Sequence, residues 1–566
     1  MTKKPASKKG KQEQPVSKPA ARKPAAMAGN GGILGLGWGL VSILGISSLL
    51  FLVTRIQLLA IPFERDEGSF AYIGHWLFKG REMYTDLLDS KLPGLYIYYG
   101  TFMSLFGYGP TGAHVGLLVA NMASAVCFYF FLRDVYNRFV GAIATTFFLW
   151  MVVSPNVVGF AAHATQLLLP FVLAGLLFFW KGLQQNKLYL FFLSGLMIGL
   201  AFTIKQQSAI FGVLIAALWW PARLAWNKKK EGPLPVLEWI LLGIGGFLPA
   251  AAVVFYFLAV GRFDQFLDWT VMQPITLASA YEDPWYVMFY RFVPSVIAQF
   301  ELIWITAAAG MGFIFLSGFK KFGAVFGPLF ALLGFLSVII GAAYYKHYFV
   351  LAIPGIAMLA AITLNWLAQK IGQYGQAVGI GIATLFVMLS LRNRADYYFS
   401  PDYYKIHFEQ YAQNMFPELE QLGKDLAKRV PEGKRIAIMG SEPEVLVAAD
   451  RESCSKHLMV YSLLIDPVRS PPKQQEYIQE LKACDPEYIV WATGTGSWAP
   501  GYDKLQFFET LMQWIEQNYE TVGLAESRDA RPGIIVWEDQ IKTHQTQSDY
   551  LVLVLKKRAV PVVPTG

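Results

Sequence analysis

Apolar residues run almost unbroken between positions 32 and 391, in stretches near the ~20 residues that cross a hydrocarbon core. Read with the charges that separate them, these stretches predict eleven membrane-spanning helices, near 33–54, 112–132, 139–153, 164–180, 188–204, 207–221, 236–259, 300–317, 322–343, 348–366 and 376–391. The first is longer than a signal-peptide core and has no small-residue cleavage site before the charged segment that follows, so it is expected to stay as a span. After Arg392 the pattern changes to the mixed periods of a folded aqueous unit. Helices at 416–430, 473–484 and 505–518, with strands at 435–439, 488–491, 534–538 and 550–555, predict a small α/β domain. The expected division is a polar tail over 1–31, an α-helical polytopic membrane domain over 32–391 and a soluble α/β domain over 392–566.

Composition agrees: 54% of the 566 residues are hydrophobic and 16% charged, which excludes an ordinary soluble protein. A net charge of +8 would suit a nucleic-acid partner, but residues 1–31 alone hold eight Lys or Arg against one acid. The excess therefore reads as a disordered cytoplasmic tail that sets topology and touches anionic lipid, with no nucleic acid implied. Arg133 and Arg138, Lys181 and Lys187, Arg223 with Lys228, Lys229 and Lys230, Lys320 with Lys321, and Lys370 all fall in alternate loops. The positive-inside rule puts those loops in the cytoplasm, and an odd span count puts the 55–111 loop and everything after Arg392 on the other side. Cys127 lies in a span, whereas an external location would permit Cys454 and Cys484 to pair, although their spacing does not assign a disulfide. No Cys/His metal spacing occurs, and Gly440-Ser441 after a predicted strand carries no Walker or dinucleotide fingerprint.

The outer loop concentrates six carboxylates, Glu64, Asp66, Glu67, Glu82, Asp86 and Asp89, where folding of a membrane bundle needs none. Adjacent Asp66 and Glu67 cannot both face one target, so one carboxylate is expected to meet a cavity while its neighbour orients it or caps backbone amides. A partly desolvated acid there can serve as a general base. Three cations stand on the same side without a topological reason: Lys91, Lys205 and Lys346, the last followed by His347. They either snorkel to lipid headgroups or hold an anion. Sugar transfer from a lipid phosphate fits the set, because phosphate leaves with little protonation and one base with a cationic cradle suffices. A glycoside hydrolase would need two cooperating carboxyl groups. Oxygen-rich carboxylates also suit a divalent cation, and Asp86 and Asp89 are candidates for metal or acceptor contacts. The segment 262–295, aromatic with Asp264, Asp268, Glu282 and Asp283, reads as a second outer loop with interfacial helical pieces, serving as a lid, an acceptor groove or an ordinary aromatic belt. His163 reads as an interfacial residue.

The run Arg65-Asp66-Glu67-Gly68 through Tyr72, with Gly80-Arg81-Glu82-Met83-Tyr84 and Asp89-Ser90-Lys91-Leu92-Pro93-Gly94, resembles the first outer loop of bacterial family 39 glycosyltransferases. These are relatives of protein O-mannosyltransferases and lipid A aminoarabinose transferases in the GT-C superfamily. Lys205-Gln206-Gln207 and His347-Tyr348-Phe349 with Pro354 are similar to later elements of such enzymes, so the resemblance covers roughly residues 33 to 391. It implies an inverting transferase of the bacterial plasma membrane and cell envelope. The donor would be a polyprenyl-phosphate sugar and the acceptor a lipid, glycan or protein. Asp66 would then be the catalytic base, Glu67 its partner, and Lys91 a phosphate contact, although the family's Lys-Pro-Pro-like element reads Lys-Leu-Pro here. Lys205, Lys346 and His347 are further phosphate candidates. The stretch from Ala161 to Gln166 lacks the acid found there in many relatives. Two other classes share the hydropathy pattern. A transporter or lipid flippase would place charges mid-membrane, often in inverted repeats, whereas here they gather in outer loops. A silent scaffold with a glycan- or partner-binding C-terminal domain is the third.

Overall fold

A computed structural model describes Thr2 and residues 37–226, 235–279, 284–317, 322–340, 344–412, 414–466, 468–498 and 505–559. The expected tail, the clusters Lys228 to Lys230 and Lys320 with Lys321, and Glu282 and Asp283 lie outside the described residues. A helix occupies each of the eleven predicted spans, although their lengths are unequal. Among the described residues, five are long and apolar enough to cross a membrane alone: Trp38–Gln57, Pro110–Val135, Ala164–Gln185, Pro235–Ala259 and Gly375–Arg392. The pair Phe289–Ile297 and Glu301–Gly312, bent by 107°, would make a sixth. The chain is an integral membrane protein. Shorter Arg138–Val152 has every side chain from Phe139 to Val152 buried, so it serves as a core strut with no lipid-facing surface to match to bilayer thickness. Leu188–Ile204 and Pro235–Ala259 touch backbone to backbone where Gly195 meets Leu242 and Gly245 meets Phe192, the small-residue contact of membrane helices.

The loop between the first two long spans is itself helical. Arg65–Phe78 and Pro93–Phe106 pack together where Gly74 faces Tyr96 and Gly100. Between 262 and 297 the chain forms the expected short helical pieces, Phe263–Leu267, Asp268–Met272, Gln273–Ser279 and Trp285–Ile297.

The C-terminal sheet holds β1 (Ala437–Met439), β2 (Tyr488–Ala492), β3 (Tyr519–Arg528), β4 (Arg531–Trp537) and β5 (Leu551–Lys557) in the order β1-β2-β5-β3-β4. β1 and β2 are parallel and the other pairs antiparallel, with Val490 opposite Val554 and Leu524 opposite Leu553. Helices Phe416–Arg429, Ser470–Cys484 and Gln506–Asn518 stand where the periodicity put them. β3 and the helix Pro443–Ala449 were not expected, because Glu520, Glu526 and Arg528 mask the alternation of the one and the other is only seven residues long. Cys454 and Cys484 form a disulfide.

The boundary expected at 392 falls inside a packed region. Tyr397 donates its hydroxyl to the Val153 carbonyl at 2.8 Å, and Tyr403 to that of Gln57 at 2.6 Å. One hydrophobic core runs from Phe70, Leu95 and Trp150 of the membrane domain into Leu419, Leu446, Val490 and Val554 of the sheet domain.

Candidate active site

The helix Arg65–Phe78 starts at the end of the charged run because Glu64, extended at φ −84° and ψ 176°, caps it by accepting from the Glu67 amide at 2.9 Å. Burial, with Asp66 and Glu67 nearby, pushes the Glu64 carboxyl well above the usual range. Successive helical residues leave the axis about 100° apart. Arg65, Asp66 and Glu67 therefore point three ways.

Arg65 enters the C-terminal domain. It donates to the carbonyls of Ser441 at 2.6 Å and Gly496 at 2.7 Å, to Asn414 Oδ1 at 3.2 Å, and pairs with buried Glu442 at 3.1 Å. Beside it Gly68 lies so close to the Glu444 backbone that a Cβ would sit 2.7 Å from the Glu444 nitrogen. Further along, Tyr72 accepts from the Ser453 amide at 2.8 Å and Arg81 pairs with Glu452 at 2.7 Å. Ser441 is thus part of the socket for Arg65.

Glu67 turns into the bundle, fully buried. Its Oε1 accepts from the Ala162 amide at 2.6 Å and lies 2.9 Å from His114 Nε2. It was expected as the partner of Asp66, but it fixes the turn around Ala162 to the bundle instead. Arg55 braces the same turn, donating to the Gly159 carbonyl at 2.6 Å and to Gln166 Oε1 at 3.3 Å.

Asp66 alone of the three faces a cavity, shared with Asp89 and Lys91, with Trp269 and Gln273 of the interrupted segment, and with His457 and Tyr461 of the C-terminal domain. Lys91 lies 3.3 Å from Asp89 Oδ1. Burial works against its charge, but Asp89 and Asp66 outweigh it and hold the ammonium above the ordinary lysine range. Lys205, just past the helix Leu188–Ile204, lies 3.8 Å from the Tyr348 ring centroid. Burial and the charge of Lys91 pull it down to about 7, against the opposing pull of Asp66. His163 and His347 stack with centroids 3.8 Å apart, and burial lowers both imidazoles below the ordinary histidine value. One carboxylate oxygen of Asp66 and one ring nitrogen of each histidine lie within 4.8 Å of one another. Such an N₂O donor set suits zinc or a similar divalent ion better than the oxygen-rich set expected from sequence. His163 Nε2 has no hydrogen-bond partner among the described residues, which leaves it available as a ligand.

The remaining expected positions diverge. Asp89 serves Lys91, whereas exposed Asp86 accepts from the Glu82 amide at 3.1 Å in a local turn away from the cluster. Lys346 donates to Gln410 Oε1 at 3.1 Å, since neighbours in the 3₁₀ turn Lys346–Leu351 project apart and His347 takes the inward direction. His163 is not interfacial but buried at the centre. A polar residue interrupting an apolar run at the outer boundary was the available signal, the same one that marked Lys205. Nothing in the sequence marked the docking role of Arg65.

A family model for dolichyl-phosphate-mannose-protein mannosyltransferases matches residues 93–259. No curated protein matches the chain. Among solved structures, ArnT from Cupriavidus metallidurans bound to undecaprenyl phosphate is similar at a TM-score of 0.56 and 13% identity, over 91% of this chain and 97% of that one. The same protein in the apo state gives 0.54 at 13% identity, over 91% and 97%. The Archaeoglobus fulgidus oligosaccharyltransferase tethered with an acceptor peptide gives 0.50 at 12% identity, over 91% and 75%. At these identities the likeness is one of fold, and the fold is that of GT-C membrane proteins, as the first-loop residues implied.

Proposed function

We propose that this protein is an integral-membrane glycosyltransferase that moves a hexosyl or pentosyl group from a polyprenyl-phosphate donor to an acceptor hydroxyl on the extracytoplasmic face. The carrying observation is the convergence of Lys91, Lys205, His163 and His347, from four separate stretches of chain, around Asp66, which lines the cavity together with Lys91. In this reading Asp66 takes the proton of the acceptor hydroxyl while its oxygen bonds to the anomeric carbon. The bond from that carbon to the phosphate oxygen breaks, and the departing phosphate takes the electron pair beside Lys91 and Lys205. A neutral acid is not needed for the leaving group, which suits a centre where Asp89 is already paired with Lys91 and Asp66 is left to act as the base. Glu67 acts by holding the helix turn in place. A divalent cation would be held by Asp66, His163 and His347 and would add positive charge for the phosphate oxygens. The bound undecaprenyl phosphate of the structurally similar ArnT supports a lipid-phosphate donor, and the acceptor peptide of the oligosaccharyltransferase supports transfer to an external acceptor. Basic alternate loops and the Cys454–Cys484 disulfide, which persists outside a reducing cytoplasm, support the assigned face.

The test is Asp66→Asn, which keeps shape and removes the base. With a panel of polyprenyl-phosphate sugars, transfer is expected to fall about 10²- to 10⁴-fold while membrane insertion and thermal stability persist. Undiminished transfer would reject the assignment.

A further inference from the structure

At the end of the bundle away from Asp66 lies a second cavity, of about 1020 Å³. Two helices fix its location. Trp38–Gln57 begins there, where Gly37 and Leu40 line the wall, and the chain just past its end reaches the active site, where the Leu59 carbonyl is 3.0 Å from His114 Nδ1. Pro110–Val135 carries His114 near its start and Arg133 near its end. Both are long enough to cross a bilayer, so the two cavities open on opposite leaflets.

The lining is unusually polar for a membrane bundle: Arg133 and Arg138 stand with Asn365, Gln369, Gln373 and Gln376. Asp134 is also present, but Lys181 at 2.6 Å and Arg133 at 2.8 Å share its carboxylate, so two cations meet one acid beside Arg138. We propose that this cavity binds the phosphodiester headgroup of an anionic phospholipid in that leaflet. Guanidinium groups match phosphate oxygens in pairs, and side-chain amides can both donate to and accept from glycerol hydroxyls. The volume far exceeds that of an inorganic anion and reaches the ~300–1,000 Å³ typical of small-molecule sites. A basic pocket between membrane helices is a setting that recognises such headgroups. Exposed Trp38, Ile46 and Leu49 on the adjoining helix offer acyl chains an apolar surface. The reaction proposed above uses none of these residues, so the inference stands apart from it.

The experiment uses the full chain, delipidated and titrated in phosphatidylcholine nanodiscs with phosphatidylglycerol, with retained lipid counted by native mass spectrometry. Phosphatidylglycerol is expected to be retained in preference to phosphatidylcholine. Arg138→Gln should weaken it about fivefold, and Arg133→Gln with Arg138→Gln about twenty-five-fold. Lys370→Gln and Lys187→Gln, basic residues that do not line the cavity, should leave retention unchanged. Equal retention by Arg138→Gln, which keeps the idea testable if the double variant does not fold, would overturn the proposal. So would displacement of the lipid by inorganic phosphate alone, which would make this a site for soluble anions.

Discussion

Two lysines close to Asp66 behave differently because of one carboxylate. Lys91 has Asp89 at 3.3 Å and keeps its charge, whereas burial and the charge of Lys91 lower Lys205 to about 7. A phosphodiester donor stays anionic across the neutral range, so under the proposed function the group that titrates on binding is Lys205. A bound anion raises its pKa. Affinity is therefore steady below about pH 7 and falls, by up to about tenfold per pH unit, as pH rises from there towards the raised value. Binding of a fluorescent polyprenyl-phosphate sugar analogue, a phosphodiester, at pH 6 and pH 8.5 checks this, and Lys205→Arg, always charged, should flatten the profile. Both lysines were legible as cations without a topological purpose. Their inequality was not, because it depends on which one Asp89 reaches.

The helix Arg65–Phe78 joins the two halves of the molecule. It was only partly readable: the stretch was expected as an outer loop, and its adjacent acids had to face different ways. The destination of Arg65 was unreadable, because Glu442 lies 377 residues away. Glu442 is fully buried, so Arg65→Ala would strand a carboxylate and should cost about 3–5 kcal/mol of docking and folding stability. Adding Glu442→Gln removes the stranded charge and should recover part of that loss. Thermal unfolding of the single and double variants measures both, and an additive double variant would show that the pair is not coupled.

For the whole molecule, the eleven apolar stretches were found because hydrocarbon imposes length and composition on each span independently. The union of bundle and sheet domain was hidden, because a composition change at Arg392 looks the same whether the following domain hangs free or packs down. The core in fact continues across that point, and His457 and Tyr461 complete the wall opposite Asp66. Truncation after Arg392 is thus expected to abolish transfer and lower the thermal transition of the remaining bundle. Full activity with only a changed acceptor preference would contradict this. Helical geometry ties the same union to chemistry: deleting a single residue inside the turn that begins at Arg65 would swing its neighbours by about 100°. The anchor, the cavity-facing carboxylate and the buried brace would exchange stations together, so none of the three can be adjusted by a length change without disturbing the other two.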